Sequence, residues 1–127
     1  MATSPVNIVN VTAILGTTTF LTPANTTANV LLSNAASSTL LYKINQIVCA
    51  NVNGSSAVNA TVAINNQAAG AGTSFPVIST ISVPASASVI AVDKTTAIYL
   101  MENQSIVVTS GTASGITYTI SYESIQS

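Results

Sequence analysis

The last strand-like stretch of the chain reads Ile116-Thr117-Tyr118-Thr119-Ile120-Ser121-Tyr122-Glu123. Its apolar and polar residues alternate with a period of two, which places the Ile and Tyr side chains on one face of a β-strand and the Thr and Ser side chains on the other. The stretch Val58 to Asn65 alternates in the same way. Both patterns predict strands with one face in a core and one face in solvent.

The segment 40–52 is a longer apolar stretch in which the parity of the apolar positions changes once, near Asn45-Gln46. One extra residue in a strand produces this change, so we expect a β-bulge there. Asn53-Gly54 follows directly, and this dipeptide between two strand patterns is a strong hairpin signal. We therefore expect 40–52 to pair antiparallel with 57–65.

The rest of the chain is also rich in Val, Ile and Thr, and it contains no long stretch with helical periodicity. Turn residues separate the apolar runs at short intervals, with a break expected at Gly16 among others. These features predict an all-β protein, a single-domain antiparallel β-sandwich of the jelly-roll or immunoglobulin-like kind. The domain spans 1–127, with residues 1–5 as a loose N-terminal arm. The further strands are expected at 6–14, 17–22, 28–33, 75–83, 87–92, 97–100 and 104–110.

Ionisable side chains are scarce: the 127 residues include two Lys+Arg, three Asp+Glu and no His, with a net charge of −1. Lys43 and Lys94 are the only basic residues, so no basic stripe is available for nucleic acid or an anionic membrane. No apolar run is long enough for a transmembrane helix, and no secretory signal is seen. We expect a protein made in a cytoplasm that is not an enzyme.

The few reactive groups each have a plain structural interpretation. Cys49 lies among apolar residues and is expected to be a buried core residue. Asp93-Lys94 falls between two strand patterns and is interpreted as a solvated turn. The chain around Gly70 and Gly72 lacks the Lys and helix that a phosphate-binding loop needs, and is interpreted as a flexible loop.

Two less favoured hypotheses concern the carboxylates. Lys43 could form an isopeptide cross-link assisted by Glu102 or Glu123, and these two carboxylates could serve as the acid and base of a glycosidase. The absence of Trp argues against a sugar-cleaving site, because such sites use aromatic platforms. We therefore predict no catalytic, cofactor-binding or metal-ligating residue and no cofactor.

The surface itself is the remaining candidate for function. Sheet edges are usually protected by charge, which this chain lacks, and a surface of Ser, Thr and Asn is easily desolvated. We therefore expect a homo-oligomer such as a trimer. The segments expected to make contacts are the N-terminal run Val6 to Leu15 and the polar loops 34–38 and 68–74.

Three segments carry a resemblance to a known class of proteins: Ile14 to Thr19 (ILGTTT), Leu31 to Gly54 (LLSNAASSTLLYKINQIVCANVNG) and Ile81 to Val108 (ISVPASASVIAVDKTTAIYLMENQSIVV). Their general pattern resembles small virion structural proteins of tailed phages that infect cyanobacteria and marine bacteria. The resemblance implies a β-sandwich particle protein, made in the host cytoplasm and located in the virion. It implies no site residues.

Taken with the composition, this resemblance gives two expectations for function. The first is a capsid decoration (cement) protein that binds the major capsid protein lattice and stabilises it. The alternative is a tail or fibre component in contact with tail proteins, including a module that binds a host glycan through Tyr and Asn side chains.

Overall fold

Two antiparallel sheets make up the fold. The computed structural model describes residues 11–126, of which 61% lie in strands and 3% in a helix. The helix is a single 3-10 turn at Lys94–Thr96. The nine strands are β1 (Ala13–Leu21), β2 (Asn29–Asn34), β3 (Leu40–Asn51), β4 (Val58–Asn65), β5 (Ser74–Val83), β6 (Ser88–Val92), β7 (Ile98–Leu100), β8 (Gln104–Ser110) and β9 (Ile116–Gln126).

The strand order identifies the type of sandwich. Sheet A has the order β1-β9-β3-β6, with β7 beside β6 on the same edge of β3, and sheet B has the order β2-β8-β4-β5. The first four strands therefore alternate between the two sheets, and β8 and β9 do so again. This is the arrangement of a jelly roll, whereas an immunoglobulin sandwich keeps its first two strands side by side in one sheet. The predicted all-β antiparallel sandwich is confirmed.

The core lies between the sheets and is formed by the alternating positions that the sequence indicates. In β9, Ile116, Tyr118 and Ile120 are fully buried. In β4, Val58 and Val62 pack into the same cluster from the opposite sheet. Burial of each such side chain contributes about 1.5–3 kcal/mol, so this layer is the main source of stability.

The expected bulge is present in β3. Its pairing with β9 shifts between Ile44 and Gln46, so that Asn45 is the extra residue. Because of this insertion, Ile44 and Ile47 both face the core and both are fully buried. The bulge therefore allows Ile44 and Ile47, which are three residues apart, to lie on the same core-facing side of β3.

The expected hairpin between 40–52 and 57–65 is wrong. In the structure β3 pairs with β9, β6 and β7, while β4 pairs with β5 and β8 in the other sheet. A type I′ hairpin turn needs positive φ at both central residues, and neither Asn53 nor Gly54 has one. The dipeptide instead lies in a loop that carries the chain across the sandwich.

The expected break at Gly16 is also wrong. Gly16 lies inside β1, opposite Glu123 of β9, and the pairing is continuous on both sides of it. A Cβ added at Gly16 would have no atom within 4 Å, so the strand is not crowded at this position. The strand expected at 6–14 overlaps β1 only from Ala13, and its residues 6–10, like the arm 1–5, are outside the described part.

Candidate functional site

Strand direction gathers the described parts of the expected contact segments at one end of the sandwich, while residues 6–10 of the run Val6 to Leu15 lie outside the described residues. β1 begins at this end, since Ala13 pairs with Gln126, the last residue of β9. The β2–β3 loop (35–39) and the β4–β5 loop (66–73) leave from the same end, together with the β7–β8 turn (101–103). We call these three connections the loop platform.

Asn103 joins the two longer loops of the platform. Its backbone N–H donates to the carbonyl of Asn34 at 2.9 Å, and its side-chain Oδ1 accepts from the N–H of Ala68 at 3.2 Å. The residue adopts a left-handed conformation with φ of 59°, which Asn tolerates better than most residues. The sequence shows Asn103 only as part of a chance Asn-X-Ser triplet, and its role as a connector was missed.

Asn34 fixes the base of the 35–39 loop. It is fully buried at the end of β2, and its Nδ2 donates to the carbonyls of Leu40 at 3.0 Å and Leu100 at 3.1 Å. Its Oδ1 accepts from the hydroxyl of Ser38 at 2.5 Å. One side chain therefore ties the end of a sheet B strand to two strands of sheet A.

Asn65 plays the same part at the base of the 66–73 loop. Its Oδ1 accepts from the N–H groups of Gln67 and Gly72, both at 3.0 Å. Its Nδ2 donates to the carbonyl of Gly72 at 3.2 Å and to the hydroxyl of Ser74 at 2.9 Å. These four hydrogen bonds close the loop on itself, so the loop is preorganised.

The 66–73 loop is folded onto the outer face of sheet B, which differs from the flexible loop expected. The hydroxyls of Ser33 and Ser105 donate to loop carbonyls, each at 2.7 Å. Gly70 has φ of 76°, and a Cβ added to it would lie 2.9 Å from Cγ2 of Val30 and 3.2 Å from Cγ1 of Val107. Only glycine fits this approach without strain.

The three carboxylates lie in different surroundings. In the platform, Glu102 Oε2 accepts from the N–H of Thr39 at 2.6 Å. Glu123 lies in β9 opposite Lys43 of β3, whose other cross-strand neighbour is Tyr99. Asp93 caps the 3-10 turn, and the hydrogen bonds from Thr95, followed by those from Thr96, hold the pKa of this carboxyl below its usual value.

The described residues contain neither a cluster of metal-ligating side chains nor a long apolar helix. Residues 11–126 contain no group of three or more His, Cys, Asp or Glu side chains close enough to hold an ion. Their single short helix is not a candidate for spanning a bilayer.

The tyrosines are mostly unavailable for recognition. Tyr118 is fully buried, and its hydroxyl donates to the carbonyl of Thr109 at 2.6 Å. Tyr42 and Tyr122 pack against the core and against each other, with ring centroids 5.0 Å apart. Tyr99 is the exposed member of the four, with 47% of its surface accessible.

Cys49 is a buried core residue. It is fully inaccessible in β3, opposite Tyr118 of β9. Burial raises the pKa of its thiol to about 12. A thiol that is neutral and inaccessible neither attacks nor forms a disulfide, so Cys49 is inert in the folded protein.

The state of Cys49 predicts a loss of stability in alkali. Folding favours the neutral thiol, so its contribution is complete below the ordinary pKa of 9.0 and declines as the pH rises towards about 12. The decline is about 1.4 kcal/mol for each pH unit. Urea unfolding between about pH 8 and pH 11 should therefore show a steeper loss for the natural protein than for Cys49→Ala.

Part of the alkaline loss should remain in that variant, because burial also raises the pKa values of Tyr42 and Tyr118. Parallel pH curves for the two proteins, or rapid reaction of the native thiol with a disulfide reagent at about pH 8, would contradict the assignment.

Comparison with known proteins adds information on the fold. No protein-family model and no curated protein matches the sequence. A solved structure from the work described as "Bacillus endospore appendages form a novel family of disulfide-linked pili" aligns over 100% of both chains, with a TM-score of 0.51 and 16% identity. At this identity the likeness shows a shared fold alone.

Proposed function

We propose that this chain is a non-enzymatic structural protein of a tailed-phage virion, a decoration protein that docks on the lattice of the major capsid protein through its loop platform. The observation that carries the proposal is the gathering of three segments at one end of the sandwich. The sequence predicts contacts for the run Val6 to Leu15 and the loops 34–38 and 68–74, and the strand directions place the described start of β1 at the same end as the 35–39 and 66–73 loops.

The platform has the physical properties of a docking surface. Its loops are held by buried Asn side chains, so little conformational entropy is lost when they bind. Their only charged residue is Glu102, so the surface is cheaply desolvated. If each copy buries about 800 Å² per partner, many copies together resist the pressure of a packed genome through avidity.

A tail or fibre component is the second candidate. It is favoured by the fold shared with a pilus protein, since a pilus is built from repeated structural subunits. Glycan recognition within this candidate has weaker support, because Tyr118 is buried and Tyr42 and Tyr122 pack against the core. Copy number in purified virions separates the candidates: a decoration protein that covers the capsid lattice is present in many copies, and a tail-tip module in few.

The platform is tested with two matched lysine variants at exposed alanines. Ala69→Lys places a charge in the 66–73 loop, and Ala24→Lys places the same charge at the opposite end of the sandwich. We expect Ala69→Lys to bind particles stripped of this protein at least about tenfold more weakly, since a lysine in an interface core must be desolvated. Ala24→Lys should bind like the natural protein.

Heat release of DNA from the same particles tests the cement role. Particles reloaded with the natural protein should burst at a higher temperature than stripped particles. Equal burst temperatures would refute stabilisation of the lattice. Normal binding by Ala69→Lys would refute the platform as the docking surface.

A further inference from the structure

The two sheets have four edges, and three of them are interrupted. β5 contains Pro76 and two shifts in its pairing with β4. β2 has only 6 residues and a register shift. The far edge of β3 is covered by β6 and β7, of 5 and 3 residues, with Asp93 and Lys94 between them. Bulges, proline, short strands and charge are the usual means of preventing a sheet from adding another strand.

β1 has none of these protections. Its 9 residues pair with β9 in one continuous register from Ala13 to Leu21, and they include no proline and no charge. Within residues 11–126, no strand pairs with its other edge. Among the described residues, the backbone groups of that edge therefore have no partner strand and can pair with a further one.

Two of the three exposed apolar side chains of β1, Ile14 and Phe20, are arranged symmetrically about the centre of the strand. The third, Leu15, is 64% exposed, and the position that mirrors it is Thr19. Ile14 is 56% exposed and Phe20 is 71% exposed, and each lies three residues from Thr17. Both have the parity opposite to Leu21, which packs against the core, so both project from the outer face of sheet A. The strand is thus self-complementary about its central residue.

We propose that β1 pairs antiparallel with β1 of a second copy of this chain, around a two-fold axis through Thr17. In this register Ile14 lies directly opposite Phe20 of the second copy, and the symmetry forms this pair twice. Cross-strand pairs of aromatic and β-branched residues are among the favourable ones. The two copies of sheet A then form one continuous sheet across the dimer.

Several features favour a second copy over a different partner. The edge carries no charge, so two copies meet without repulsion and offer no electrostatic complement to a charged partner. The other edges of a second copy are interrupted, which leaves its own β1 as the matching edge of equal length. Two-fold pairing of one surface with itself gives a closed dimer. The inference goes beyond the proposed function, because it holds wherever the protein is located.

Two variants with opposite charges at Thr17 test the proposed two-fold axis of the dimer directly. Thr17 is exposed, so Thr17→Lys and Thr17→Glu should fold normally. Each variant alone should dissociate at least about tenfold more readily than the natural dimer, because like charges meet at the axis. An equal mixture of the two should form dimers again, and native mass spectrometry should find one copy of each variant in them.

Ser79→Lys is the matched control, since it places the same charge on the exposed edge strand β5. It should dimerise like the natural protein, and so should Ala69→Lys, which alters only the platform. Phe20→Ala should weaken the dimer about tenfold, a change equivalent to about 1.4 kcal/mol. Sedimentation equilibrium gives these dissociation constants, and circular dichroism verifies folding.

Three results would overturn the proposal. They are a natural protein that is monomeric or trimeric at micromolar concentration, a Thr17→Lys variant that dimerises normally, and a charged mixture that does not recover. None of them depends on particle binding by the platform, so this inference and the proposed function fail separately.

Discussion

Deletion of Val48 is expected to destabilise the fold by more than about 4 kcal/mol, whereas deletion of Asn45 from the same strand costs less than about 2 kcal/mol. Asn45 is the extra residue of the bulge, so its removal leaves Ile44 and Ile47 on the inner face with one residue between them. It also removes an Oδ1 that is buried and finds no hydrogen-bond partner among residues 11–126.

Removal of Val48, in contrast, disturbs the alternation of core-facing and outward-facing side chains in β3. In one outcome Cys49 turns outward. In the other the strand loses its bulge, so that Gln46 enters the core in place of Ile47. Both outcomes expose an apolar side chain that is fully buried in the native protein. The loss is comparable to the total stability of a domain of this size.

Urea unfolding followed by circular dichroism compares the two deletions, which remove one residue each from positions three apart. A Val48 deletion as stable as the natural protein would contradict the register described for β3. An Asn45 deletion that unfolds would show that the bend at the bulge is itself required.

Asn34→Leu is expected to lower the free energy of unfolding by about 3 kcal/mol. The substitution roughly preserves the volume but removes the Nδ2 donor, so the carbonyls of Leu40 and Leu100 lose a partner. The hydroxyl of Ser38 also loses its acceptor. An unsatisfied buried polar group costs about 1–3 kcal/mol, and the carbonyl of Leu100 is the more deeply buried of the two.

Asn59→Leu is the matched control, because Asn59 is an exposed Asn near the start of β4. Its effect should stay within about 0.5 kcal/mol, as for most surface substitutions. Chemical unfolding of both variants, with hydrogen exchange of the platform amides, measures the global loss and its location. Equal stabilities would mean that Asn34 does not hold the two sheets together at this end.

The positions of the strands were largely predictable from local pattern. Alternation in β9 and β4 identifies their inner faces, and the change of parity near Asn45-Gln46 locates the bulge. The partners of the strands were not predictable in this way. Asn53-Gly54 suggested a local hairpin, but β3 pairs instead with β9, more than sixty residues away.

The candidate site shows the same division. Polar composition was enough to predict loops at 34–38 and 68–74, and the structure has them at 35–39 and 66–73. Their connection through Asn103 could not be foreseen, because a side chain at the β7–β8 turn meets them only after the sheets have assembled. One weak local signal was present: Asn34, Asn51 and Asn65 each end a strand, and each is buried.

The amino-acid sequence determined which residues form strands and which side of each strand is apolar, because side chains alternate with a period that any extended chain must follow. The tertiary structure alone decided which strands are neighbours, which loops share an end and which edge stays open. These outcomes depend on contacts between distant segments, whose free energy is gained only when both sheets bury their apolar faces together.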